Sequence, residues 1–502
     1  MYYPNLEQFK KLSKKGNVIP VYRELLADLE TPVSAFMKID NSKYAYLLES
    51  VEGGEKIARY SFLGNNPSLI LRSKGQNVEI LKKTDKGFEK TLIRNPEGPL
   101  AEIKKIVKQY KFVNVEGLPR FCGGLVGYMG YDTVRFYEEI PDKNPDDLKL
   151  YDAVFILTDT ILIFDHLSHK IKIVSNVHVE NIKTAQSAKQ LEVIYKQSLE
   201  KIDALALTLQ KPLKVSKPKI GKQPFIVNSN TTKKEFKSAV EKIKEYINAG
   251  DIIQTVLSQR FSVKVDVPSF DIYRSLRIVN PSPYMYYLKF DDLKLIGSSP
   301  EIMVRCENNI AEVRPIAGTR KRGKDEQEDI SLAADLLHDP KEIAEHIMLV
   351  DLGRNDLGRV CKYGSVSVKE FMAIEKYSHV MHIVSDVQGR LLKNKDDFDL
   401  LSATFPAGTV SGAPKIRAME IIDQLENVRR GPYAGCIGYF SFSGNLDTCI
   451  TIRTIVLKNN IAYVQAGAGI VADSIPEKEY QETVNKAQAL IKSIEIAQKG
   501  LL

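Results

Sequence analysis

The chain has no tryptophan, only seven histidines and only five cysteines in 502 residues. The cysteines (Cys122, Cys306, Cys361, Cys436, Cys449) are odd in number and none stands in a Cys-x-x-Cys pair. That argues against a disulfide framework or a zinc ribbon and suits reduced, mostly buried thiols in a cytoplasmic protein. Long apolar runs are missing too. The longest, Ala153 to Phe164, is interrupted by Thr158, Asp159 and Thr160, so it reads as two buried strands and not as a membrane span. Met1 to Lys15 lacks an apolar core and mixes charged with hydrophobic residues, which does not describe a signal peptide. No long run of Lys or Arg is present to track a phosphate backbone, so no nucleic acid and no membrane is expected as a partner. The net charge of +8 is modest for the length and suits an anionic substrate.

What is present is ordinary soluble-protein material, 43% hydrophobic and 27% charged. A chain of this length exceeds one core, and roughly two to three domains are expected. Residues 1–205 read as one unit, with a strand at Tyr44 to Ser50, a turn at Gly53-Gly54 and a charged helical stretch from Val179 to Lys201. Within it, Phe121 to Asp132 superficially offers a dinucleotide fingerprint. No helix pattern or closing acidic residue follows, so close strand packing accounts better for the glycines. Residues 206–224, rich in Lys and Pro, read as a linker. From 225 to 502 the pattern is that of a second domain: a capped helix near Thr232 to Gly250, strands in runs, and a final helix from about Ile475 to Gln498. Strands in runs with helices at intervals predict an α+β fold, a two-domain, β-sandwich-like core of antiparallel sheets flanked by helices.

Two helices carry paired carboxylates. Asp339 is placed to cap the first, Pro340 opens it, and Glu342 stands where a capping-box acid belongs. Ile343, Ile347 and Val350 supply an apolar face, and Glu342 and Glu345 lie a turn apart. On the final helix Glu479, Glu482 and Lys486 share a face, with Tyr480, Val484, Ala487 and Ile491 opposite. Four carboxylates without His or Cys suit a hard cation that prefers oxygen, Mg²⁺ above all. Ala466-Gly467-Ala468-Gly469-Ile470 reads as a Gly-rich turn able to aim backbone N–H groups at a carboxylate.

Gly250-Asp251-Ile252-Ile253-Gln254, Leu257-Ser258-Gln259-Arg260, Gly297-Ser298-Ser299-Pro300-Glu301, Arg314 to Arg320, the Asp339 helix, Pro406 to Lys415 and Gln465 to Gly469 together resemble the chorismate-utilising enzyme family, most closely the large subunits of its anthranilate-forming branch. The resemblance covers essentially the whole chain. It implies Mg²⁺ held by Glu345 and Glu482, with Glu342 and Glu479 supporting through water. It implies that Lys486 and the backbone of Gly467, Ala468 and Gly469 hold the ring carboxylate of chorismate, and that Arg453 and Tyr433 hold the enolpyruvyl carboxylate in a pocket also lined by Gly318 and Thr319. Glu301 matches a general acid, His382 a residue assisting pyruvate elimination, and Thr409 a ring-hydroxyl contact. Hydrating members carry lysine at Gln254 and aminodeoxychorismate synthases carry lysine at Ala317. Both departures point to 2-amino-2-deoxyisochorismate and then anthranilate.

The chain has no Gly-x-Cys-x-Gly nucleophile turn, so the resemblance implies a heteromer with a glutamine amidotransferase subunit that supplies ammonia. It further implies feedback inhibition by tryptophan through Glu49, Ser50, Pro283, Tyr284, Met285 and Cys449, which a chain free of tryptophan fits. The alternatives are an aminodeoxychorismate synthase large subunit and a non-catalytic tryptophan sensor.

Overall fold

The computed structural model describes residues 1–50, 59–179, 188–213, 219–377 and 380–501. The Gly53-Gly54 turn and parts of the 179–201 helical stretch and of the linker lie outside them. Every strand ladder among the described residues is antiparallel, and the ladders join into two large sheets of 13 and 12 strands. The α+β expectation holds.

Alternation along the strands explains the layering. In Tyr284–Phe290, Tyr286, Leu288 and Phe290 enter a core between the two sheets, while Met285 and Tyr287 enter another against the helices. Strands covered on both faces read as continuous apolar runs. Ala153 to Phe164 is the clearest case. Ala153–Leu157 belongs to one sheet and Thr160–Asp165 to the other, so the polar break at 158–160 is where the chain crosses the sandwich. Val154, Ile156, Ile161 and Ile163 all point into the central core.

The two halves of the sequence do not form separate sheets. Tyr44–Glu49 pairs with Tyr284–Phe290, and Gly124–Met129 pairs with Cys436–Ser441. Each sheet therefore has a hydrogen-bonded seam between the first 205 residues and the rest, and the sequence division at 205/225 marks a span of chain, not a gap in the core. The linker expectation also starts too early. Helix Ala188–Gln210 runs through residues 206–210 because Ala206 and Leu209 still pack into the helix-side core.

Several local expectations change. One of the strand runs after residue 225, read in the sequence as a single strand from Thr448 to Leu457, is two strands, Leu446–Ile450 and Thr454–Lys458, broken at Arg453 with φ +50°. The Gly-rich segment is no turn but the end of a ten-residue strand, Ile461–Ile470, with Gly467 opposite Ser258 and Gly469 opposite Val256. Asp339 caps helix Pro340–Gly358 through the N–H groups of Lys341 and Glu342, but the box does not close, because the Glu342 carboxylate turns to Arg320. The buried face of that helix is His346, Leu349, Val350 and Leu357, and Ile347 is exposed. On helix Pro476–Gln498, Glu479 is buried with Thr483 and Ala487, while Glu482 stays half-exposed. The five cysteines are all buried and free.

Candidate active site and effector cavity

The second half of strand Ile461–Ile470, beyond Val464 where its pairing with Thr454–Lys458 stops, organises the site. Its other edge is paired with Gln254–Lys264. Lys486 Nζ donates to Gly467 O at 3.0 Å and sits 2.7 Å from Glu482 Oε1. Gln254 Nε2 donates to Glu345 Oε1 at 3.1 Å. A Cβ on Gly467 would lie 2.7 Å from the Tyr433 hydroxyl, and one on Gly469 would lie 2.4 Å from Gln254 Nε2 and 3.8 Å from Glu345 Oε1. Glycine is required at both positions by this close approach. The two helices thus bring Glu345 and Glu482 to neighbouring points of one strand.

The remaining acids are less simple. Glu342 takes Arg320 Nη1 at 3.3 Å, and its pKa is raised by burial and by the charge of Glu345. Glu479 is raised by burial and by Glu482, against the pull of Ser474, Lys341 and Lys486. Lys341 belongs to the other acidic helix, so the two helices approach at their first turns. Among the described residues no three His, Cys, Asp or Glu side chains close into a ready-made metal cage. The all-oxygen donor set nevertheless fits Mg²⁺, which commonly takes one or two carboxylates and completes its shell with water and substrate.

Arg453 lies at the strand break, in a left-handed conformation that a non-glycine residue adopts only at a cost of about 1–3 kcal/mol. Burial lowers its pKa, while Tyr433 and Glu482 counteract. Tyr433 is itself buried, with its phenol pushed up to about 12 by desolvation. Gly318 has φ +70°, and a Cβ there would stand 3.0 Å from Leu336 and 3.2 Å from Glu342. The ladder slips between Ala317 and Thr319 at this point. The slip leaves Gly318 O and Thr319 Oγ1 at 2.9 and 3.1 Å from His382 Nδ1. A carbonyl only accepts, so Nδ1 carries the proton and Nε2 is left with its lone pair. Burial lowers the His382 pKa, which keeps the ring neutral.

Glu301 precedes strand Ile302–Glu307 and is 7% exposed. Burial pushes its carboxyl up to about 8, opposed by the Thr409 hydroxyl and the Lys486 ammonium. Thr409, in the short turn Gly408–Val410, has a buried Oγ1 with no well-formed hydrogen bond. A carboxyl that stays protonated at neutral pH, an ammonium, a half-buried guanidinium and a neutral imidazole are the parts of a site that binds a dianion and moves protons on it.

The structure also brings the six proposed effector residues together. Glu49, Ser50, Pro283, Tyr284, Met285 and Cys449 line one cavity of about 520 Å³ at the seam between the halves of the chain, where Met285 pairs with Glu49. The Glu49 carboxylate is held by the Tyr273 hydroxyl and by Arg277 at 3.3 and 3.4 Å. Burial raises the Cys449 thiol well above its ordinary pKa. Sequence reasoning missed a charged wall: Tyr284 Oη donates to Asp447 at 2.8 Å, and Arg305 and Arg120 reach the other oxygen of Asp447 at 3.3 and 3.1 Å. Single charges on apolar strands gave no pattern to find. The cavity lies close in bonding to the active site, since its lining residue Met285 pairs with Ser298 and Ser298 N donates to Arg453 O at 3.1 Å.

The fold and this site define a chorismate-binding enzyme: residues 45–492 match the family model described as chorismate binding enzyme, and the chain belongs to that family. Its branch is that of the anthranilate synthase large subunits. It is 52% identical over 504 residues to "Anthranilate synthase component 1" of Acetivibrio thermocellus, covering 99% of both chains. It is 53% identical over 499 residues to the protein of that name from Aquifex aeolicus, covering 99% of this chain and 98% of the other. The crystal structure of anthranilate synthase component I from Streptococcus pneumoniae superposes with a TM-score of 0.73 at 39% identity, covering 93% of this chain and 99% of that one. The menaquinone-specific isochorismate synthase of Escherichia coli, at 19% identity and a TM-score of 0.69, shares the fold. Among the described residues no helix is long and apolar enough to cross a membrane.

Proposed function

We propose that the chain converts chorismate and ammonia to anthranilate and pyruvate through 2-amino-2-deoxyisochorismate, the first committed step toward tryptophan. The observation that carries this reading is Glu301, a buried carboxyl held protonated to about pH 8 within reach of the Lys486 field. Expelling a hydroxyl needs such an acid. Arg453 and Tyr433 take the enolpyruvyl carboxylate, with Gly318 and Thr319 lining that end. Lys486 and the Gly467–Gly469 strand edge take the ring carboxylate. Glu301 gives its proton to the C4 hydroxyl as the C–O bond breaks, with Thr409 beside it, while ammonia bonds to C2. Neutral His382, with Nε2 unprotonated, then assists pyruvate loss. Gln254 supports amination over hydration, because it holds Glu345 and cannot act as a base toward water. Ala317 leaves C2 free of a protein nucleophile.

Mg²⁺ would be held by Glu345 and Glu482, with Glu342 and Glu479 behind them, and would supply positive charge to the ring carboxylate. Burial first, and then the charge of the neighbouring carboxylate, raises Glu342 and Glu479, and a cation would relieve both. Ammonia comes from a separate glutamine amidotransferase subunit in a heteromer in the cytoplasm. Tryptophan occupies the 520 Å³ cavity as feedback inhibitor. The test is anthranilate fluorescence from the chain with chorismate, Mg²⁺ and ammonium at alkaline pH, with glutamine inactive until the partner is added. Formation of only isochorismate or 4-amino-4-deoxychorismate would overturn the assignment. Tryptophan binding with no turnover would favour a sensor.

A further inference from the structure

Asp356 and Lys415 have no part in the chemistry above, yet they form an ion pair with side chains only 15% and 13% exposed, 2.7 Å apart, joining helix Pro340–Gly358 to helix Lys415–Leu425. Burying such a pair takes two charges out of water, and an apolar contact would hold the helices as well. Asp356 lines a small cavity of about 40 Å³, and Glu301 and Thr409 line the same cavity. Its other polar lining is Arg314 and Thr404, and the rest is apolar, including Met303, Val313 and Leu352. A water needs at least roughly 10–15 Å³ of such space and two or more polar partners, so on the order of two or three waters fit. The Thr409 Oγ1, buried beside Glu301 and without a well-formed hydrogen bond, gives them a bonding site there. Beyond Asp356 stand Arg359 and Glu138, paired at 3.4 Å with the arginine half-exposed, which leads to solvent.

We propose that this cavity is the proton entry of the active site and that Asp356, oriented by Lys415, is the positioning residue for the waters that reload Glu301. The inference rests on the role of Glu301 given above and extends it. In each turnover Glu301 loses its proton to the C4 hydroxyl oxygen, the C4–O electron pair leaves on that oxygen, and water is released. Glu301 is then a buried carboxylate with product on its active-site side. The Asp356 carboxylate, held by Lys415, takes a proton from a solvent hydronium and passes it to the cavity water as that water protonates Glu301, which returns Asp356 to its ion pair. The proton shed by the new C2 ammonium balances the one taken up. The groups facing this route are Lys486 and Thr409 at Glu301, Arg314 at the wall, and Lys415, Arg359 and Glu138 at Asp356.

Two variants test it: Asp356→Asn, which keeps the shape and loses the proton, and Val313→Leu, which adds one methylene to a residue lining the cavity. Steady-state kinetics with ammonium should show kcat lower by roughly tenfold to a hundredfold, as expected for a lost proton transfer. The KM for chorismate should hold within about twofold and the solvent deuterium isotope effect on kcat should rise. Added imidazole should partly restore Asp356→Asn. A fall in kcat with no change in isotope effect and no rescue would mean a structural pair only. Infrared spectroscopy of the resting protein reads the same path without turnover: the Glu301 carboxylic acid band should exchange into D₂O more slowly in both variants. Unchanged exchange in both overturns the proton entry even if wild type makes anthranilate. Slowed exchange in both variants, with a wild type that makes no anthranilate, keeps the proton entry and removes the functional reading.

Discussion

Replacing Glu301 by Gln should separate catalysis from stability in a pH-dependent way. The Glu301 carboxyl ionises near 4.5 in the unfolded chain and at about 8 in the folded one, because burial disfavours its charge. Below pH 4.5 it is protonated in both states and has no effect. Between 4.5 and 8 the unfolded state alone has released the proton, so stability falls as pH rises, by about 1.4 kcal/mol per pH unit, and levels off above 8. The whole interval comes to roughly 5 kcal/mol as an upper bound, which water in the adjoining cavity reduces. Glu301→Gln removes this burden while keeping size and hydrogen-bonding capacity. Its stability relative to wild type should therefore rise steadily between pH 5 and about 8, measured as unfolding midpoints in denaturant at a series of pH values. Over the same range kcat should drop by about 10²–10⁴, and the alkaline limb expected of wild type near 8 should be absent. A variant whose stability tracks wild type at every pH, or which keeps activity within tenfold, would refute the protonated acid.

Three further outcomes are expected. Glu345→Gln and Glu482→Gln should each abolish Mg²⁺-dependent turnover while circular dichroism stays unchanged; wild-type rates in either would remove the metal assignment. Gly318→Ala should lose about 1–2 kcal/mol from its left-handed backbone and raise the KM for chorismate, because the added methyl meets Glu342 and Leu336; an unchanged melting curve and KM would contradict the crowding. Ser50→Phe should weaken tryptophan inhibition at least tenfold on the scale of a filled pocket, with kcat within about twofold of wild type, read by inhibition curves; unchanged inhibition would place the effector elsewhere.

The parts of the site legible in the sequence are those set by short-range rules. Asp339 and Pro340 fix where a helix starts, and three-residue spacing then puts Glu342 and Glu345 a turn apart wherever that helix lies. The same holds for Glu479, Glu482 and Lys486. Residue type and turn chemistry sufficed for strands such as Tyr44–Glu49, which ends one residue before the Ser50 that the sequence suggests. The resemblance then supplied the roles.

Other features depend on partners on other elements, from 22 residues to about 240 residues away, and local pattern carries no trace of them. Glu342 leaves the capping box because Arg320, on another element, offers a stronger partner. Gly467 to Gly469 form a strand edge because Gln254–Lys264 supplies the matching ladder, and local glycine content alone suggests a turn. The 520 Å³ cavity lined by Glu49, Tyr284 and Cys449 exists only because Tyr44–Glu49 pairs with Tyr284–Phe290 across the middle of the chain.

The sequence by itself determined the elements, the carboxylate spacing and the family, since each follows from contacts within a few residues or from motifs that survive intact. Only the tertiary structure decided that the two halves share both sheets, that Glu301 is buried enough to keep its proton, and that Asp356 and Glu301 face one cavity. Burial and long-range pairing are set by which surfaces meet, and that free energy belongs to the whole packed chain, not to any stretch of it.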